Sequence, residues 1–182
     1  MEHVMLTGLG LLFATLAAPA QPFLYNETKT FQVKGITYQC DLEDGIVAFY
    51  NKIDQFTYVD KTYKDGSELP EEIARGHRSG IKENFWLDIE PKINGIVNST
   101  LSPQEKALIK DWAFVIILKF PPLVGSSPEV TFNFVARSPY GQISPLTYSK
   151  LERKLANNVR VTFTDVGREL NFVPLIWSQE VK

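Results

Sequence analysis

The sequence predicts an α+β fold: an N-terminal antiparallel β-meander, then the order α-β-β-α-β-β, with helices mainly on one face of the sheet. Three observations carry this. Short β-rich runs separated by Gly or Asp turns fill residues 30–60. A helix start signal, Ser102-Pro103-Gln104-Glu105, precedes two apolar runs of strand length. A second helical stretch near residue 145 precedes two more such runs. Runs of this length and period mark strands, and spacings of three to four mark helices.

The meander opens with FQV and ITYQCDL, joined by Lys34-Gly35, a two-residue hairpin turn in which Gly supplies positive φ. Tyr38, Cys40 and Leu42 share one face at period two. Glu43-Asp44-Gly45 turns the chain into IVAFYNK, and QFTYVD is expected as a further strand. Residues 61–80 are polar, with one helical turn expected from Pro70 over Leu69 to Ala74. Ile81, Phe85, Ile89, Ile93 and Ile96 then recur at helical spacing. Pro91 interrupts this stripe, which predicts a kink or two short helices, with a strand at FWLDIE as the alternative.

Ser102 fits an N-cap, Pro103 the first helical position and Glu105 the third, which together form a capping box. WAFVIILKF follows without polar alternation and reads as a strand covered on both faces near the middle of a sheet. EVTFNFVAR alternates and completes a hairpin with it. Ser144-Pro145 or Thr147 starts the next helix, with Tyr148, Leu151 and Leu155 on one face and Asn157-Asn158 at its end. VRVTFTD alternates as a strand would, and Asp165-Val166-Gly167 turns the chain. ELNFVPLIW is the last strand, and Pro174 within it argues for an edge.

The N-terminus bears on location. Leu6 to Ala18 is an apolar run too short to span a bilayer, and Ala18-Pro19-Ala20 offers a small-x-small cleavage site. Residues 1–20 are therefore expected to be a signal peptide, although they carry Glu2 and no Lys or Arg. Residues 21–182 are expected to form one exported domain, periplasmic or extracellular, with no membrane anchor. Once Glu2 is removed, 19 basic residues face 20 acidic ones. That balance, without a basic block, argues against nucleic acid as a partner. A hydrophobic fraction of 44% and an aromatic fraction of 12% indicate a packed core.

The inventory of reactive groups is short. His77 is the one imidazole beyond residue 20, and Cys40 the one thiol, so neither a zinc site nor a Cys-His dyad is expected. Cys40 lies mid-strand beside Asp41 and Glu43, whose charges disfavour a thiolate. No cofactor and no metal site is expected. Asp88, Glu90 and Glu72 are the carboxylates that would serve a glycan hydrolase, Asp88 and Glu90 sharing a face only if their segment is a strand. Asn26-Glu27-Thr28 and Asn98-Ser99-Thr100 fit the glycosylation pattern, which matters only in a eukaryotic secretory pathway. Phe49 and the candidates Tyr50, Phe56, Tyr58 and Tyr63 crowd the meander. Exposed aromatics on a sheet can stack on a glycan or anchor another exported protein. A non-enzymatic binding module is the leading expectation.

The ending LAAPAQ, GIVAFYNK followed by YKDG, LSPQEKALIKD ahead of a hairpin, and NVRVTFTDVGRELNFV together resemble the small secreted domains of unknown function found in Bacteroides-type bacteria. That resemblance implies fold and export but no catalytic residue. The order from Ser102 onward is also similar to the C-terminal domain of TonB-type energy transducers, in element order alone.

Overall fold

The computed structural model describes residues 22–76, 80–110, 112, 114–123 and 126–179. The proposed signal peptide and His77 lie outside them. Six strands make one sheet among the described residues: β1 (Lys29–Val33), β2 (Ile36–Glu43), β3 (Ile46–Asn51), β4 (Phe114–Phe120), β5 (Glu129–Val135) and β6 (Val173–Gln179). Their spatial order is β1-β2-β3-β5-β4-β6, with every pairing antiparallel. The meander forms as its turns dictate. Lys34 and Gly35 have φ of 51° and 82°, and Asp44 and Gly45 have 48° and 78°, the paired left-handed conformation of tight hairpins.

Helices cover one face. They are α1 (Glu71–Arg75), α2 (Glu90–Thr100), α3 (Pro103–Leu108), α4 (Pro145–Asn158) and α5 (Asp165–Glu169). The stripe is helical from Phe85 onward, not a strand at FWLDIE, while Ile81 stands before it in an isolated bridge to Phe163. A π-helical turn, Phe85–Ile89, leads directly into α2, with Pro91 in the first turn of α2, where no backbone donor is required. Ile81, Phe85, Ile89 and Ile93 are buried, and Val97, not the half-buried Ile96, completes the buried face. Ser102 and Glu105 complete the capping box of α3, and Ser144 caps α4 by accepting from the Leu146 amide. On α4, Tyr148, Leu151 and Leu155 face the sheet. Tyr148 lies 5.0–6.1 Å from the rings of Tyr25, Phe49, Phe114, Phe132 and Phe134. This aromatic nucleus is the centre of the core.

Three segments differ from expectation. Residues 159–164 are extended but contribute one isolated bridge, Phe163 with Ile81, instead of a strand. Their backbone pairs with the chain at residues 80–82, through Lys82 N to Thr162 O (2.8 Å) and Thr164 N to Gly80 O (3.0 Å). Glu83 also takes the Thr162 amide at 2.8 Å. The alternation is real, since Val159 is buried and Arg160 exposed, but its partner is a short loop, not a sheet edge. QFTYVD is likewise no strand; residues 52–62 form a loop that crosses the sheet's second face. The apolar run in β4 is buried only on the helix side, and Val115, Ile117 and Lys119 on its other side are half-buried. Pro174 lies in β6, at the edge of the sheet, where a missing N–H costs no ladder bond.

Candidate functional site

The face of the sheet turned away from the helices carries the outward-pointing residues of each strand. Period-two alternation puts Gln39 and Asp41 of β2 there, beside Tyr50 and Ala48 of β3, which are their cross-strand partners. Lys119 and Glu129 form another cross-strand pair, between β4 and β5. These two charges fix the 52–62 loop by its main chain. Glu129 accepts the amides of Gln55 and Phe56, each at 2.8 Å. Lys119 donates to the carbonyls of Phe56 and Thr57, the latter at 2.9 Å, and its ammonium lies 4.8 Å from the centre of the Phe172 ring. A carboxylate thus satisfies the loop's donors and an ammonium its acceptors, each through charge-assisted hydrogen bonds.

Held in this way, the loop delivers Tyr58 to Asp41. The hydroxyls of Tyr50 and Tyr58 both donate to Asp41 Oδ2 at 2.7 Å, and Gln39 Nε2 donates to Oδ1 at 2.7 Å. The two tyrosine rings meet edge to face, 5.9 Å between centres. Partial burial of Asp41 acts to raise its pKa, but the three donors outweigh burial and hold the carboxyl below its ordinary value. Burial and the hydrogen bond to Asp41 push Tyr58 up to about 12 and raise Tyr50 further. The Tyr58 side chain nonetheless remains 68% exposed. Gln39, Tyr50, Lys52, Asp54, Gln55, Thr57, Tyr58 and Val59 line a shallow concavity of about 360 Å³.

Asp54 behaves in the opposite way to Asp41. Burial first, then the charges of Glu129 and Glu152, push its carboxyl up to about 8, against the opposing effect of the Asn51 and Val130 backbone. Carboxyls driven apart in pKa are what an acid–base pair needs. Here, however, Asp54 Oδ2 is buried and Asp41 is occupied by three donors. Asp41 is engaged in holding Tyr50 and Tyr58, whereas Asp54 keeps one buried oxygen without a hydrogen-bond partner.

The sequence candidates separate on the structure. Tyr50 and Tyr58 come together at Asp41. Phe56 turns inward and packs against Phe172 at 5.1 Å. Tyr63 is half-buried against the core and bridges to Leu170. Asp88 accepts the Asn84 amide at 2.9 Å at the start of the π-helical turn. Glu90 begins α2, and Glu72 is exposed on α1. With that segment helical, Asp88 and Glu90 do not share a face, and none of Asp88, Glu90 and Glu72 lines the concavity at Tyr58. Cys40 is fully buried, and burial pushes its thiol up to about 11. Asp41, Glu129 and Lys119 organise this surface, and sequence reasoning put none of them forward as a site residue. A single lysine inside the apolar run WAFVIILKF was the available signal.

One antiparallel sheet, helical on one side and bearing an aromatic, carboxylate-centred surface on the other, defines the class: a single-sheet α+β domain. The chain belongs to the DUF5043 family, a domain of unknown function, whose profile matches residues 21–177. It is similar to a DUF5043 family protein from Bacteroides uniformis ATCC 8492, known from a crystal structure at 1.85 Å resolution. The two share 29% identity and superpose with a TM-score of 0.77 over 88% of this chain and 89% of the other. No curated protein matches the chain.

Proposed function

We propose that the chain is an exported, non-enzymatic binding module that engages its ligand at the Tyr50–Tyr58 surface. The observation that carries this reading is the placement of Tyr58. A large aromatic is held in one position by Asp41 and by the anchored loop, yet its side chain stays 68% exposed. Burying it would stabilise a folded chain, and a pre-positioned exposed tyrosine instead supplies contact area at little entropic cost on binding. Export rests on the short apolar N-terminus and its small-x-small site.

Fusion of residues 1–30 to a reporter active only outside the cytoplasm tests export, with an inactive fusion counting against it. Binding without chemistry is tested by incubating the folded chain with a panel of polysaccharides and measuring both retention and released sugar. Retention that Tyr58→Ala abolishes, with no product released, is the expected result. Product formation that Asp88→Asn, Glu90→Gln or Glu72→Gln removes would replace the binding module by a hydrolase.

A further inference from the structure

The structure assigns the Tyr58 concavity to a neutral sugar, an inference that rests on the binding reading above. Three observations converge on it. The first is the platform: Tyr58 is fixed at its hydroxyl by Asp41 and exposes its ring. An aromatic face carries partial negative charge and attracts the weakly positive C–H groups on one side of a pyranose ring.

The second is the polar rim. Gln39, Lys52 and Gln55 line the concavity beside Tyr58 with donors and acceptors together, the mixture a polyhydroxyl ligand requires. Asp54 and Thr57 each hold a buried side-chain oxygen without a hydrogen-bond partner, as does Asn133 on the same face of the sheet. Buried polar atoms are nearly always paired. Two of the four such residues among the described ones, Asp54 and Thr57, line this concavity.

The third observation is charge. Asp41 is held ionised, Lys52 is the one cation among the lining residues, and Glu129 is offset by Lys119, its cross-strand partner. Opposite charges balance around the concavity, so neither an anionic nor a cationic ligand is favoured over a neutral one. A quaternary ammonium needs a box of several aromatic faces, and Tyr58 offers one, with Lys52 beside it. A neutral hexose or pentose satisfies all three constraints.

Affinity electrophoresis of the folded chain through gels containing laminarin, dextran or xylan tests the assignment, with polygalacturonate and chitosan as charged counterparts. The chain is expected to be retarded by at least one neutral polymer and by neither charged one. Tyr58→Ala is expected to lose about tenfold in affinity, and Tyr58→Trp, which keeps a platform, to retain it. Circular dichroism of each variant verifies folding. Absence of retardation by every neutral polymer overturns the sugar assignment. Retardation by a charged polymer that Tyr58→Ala abolishes would do the same and leave the binding surface standing. Binding unaffected by Tyr58→Ala would remove the surface as well.

Discussion

Asp54 and Asp41 belong to one neighbourhood and titrate in opposite directions, so they shape the pH dependence of stability at different ends. The folded carboxyl of Asp54 titrates at about 8, well above an exposed carboxylate. The stability it lends is complete below about pH 4, where both folded and unfolded chains hold the proton, and is lost as pH rises toward 8. Asp54→Asn should flatten that decline and stabilise the chain at pH 8 by about 1–2 kcal/mol, a figure reduced for partial exposure. Urea titrations between pH 5 and 9 measure it, and an unchanged slope would refute the assignment. Asp41 has a lowered folded pKa, so its contribution is present at neutral pH and lost as the solution is acidified. Cys40 offers a simpler test. With its thiol buried and pushed up to about 11, it should resist a thiol reagent in the native chain and react within the dead time in denaturant. Rapid native labelling would show that β1 and β2 open more readily than their packing implies.

Among the elements, the 52–62 loop depends most on specific charges. Lys119→Met keeps the stem over Phe172 but removes the donor to the Phe56 and Thr57 carbonyls. Lys119→Met is therefore expected to accelerate amide exchange at Gln55 and Phe56 at least tenfold while strands β2 and β3 keep their protection. Equal acceleration across the sheet would mean that the lysine supports the whole fold. The same scale shows what could be read in advance. Turns, caps and helix faces were legible because each is decided locally: Lys34-Gly35 and Asp44-Gly45 by backbone conformation, Ser102 and Glu105 by a reciprocal pair of hydrogen bonds. Residues 159–164 were not, because alternation reports one buried side and is silent on whether the neighbour is a strand or the loop at residues 80–82. The site was half legible. Tyr50 and Tyr58 stood out as aromatics, but their meeting at Asp41 depends on a loop anchored by Lys119 and Glu129, 62 to 74 positions away in sequence.

At the scale of the whole molecule, the meander and the second half are joined in one sheet by the pairing of β3 with β5. They also share the nucleus around Tyr148. Unfolding is accordingly expected to be a single transition, with fluorescence from buried Trp177 in β6 coinciding with far-ultraviolet dichroism. Tyr148→Ala empties the centre of five aromatic rings and strands the hydrogen bond to the Tyr140 carbonyl. A loss of about 3–5 kcal/mol follows from the size of the cavity, enough to bring a domain of this size close to unfolding. Two separated transitions would show that the halves fold independently. The grip of Lys119 and Glu129 has one more consequence. Both hold peptide groups, which every residue but proline supplies alike, and neither holds a side chain of the loop. Ile53, Gln55, Tyr58 and Val59 can thus be exchanged for other residues while the loop keeps its course. If the surface binds as proposed, its specificity can be rewritten by substitution in the loop while the scaffold stays unchanged.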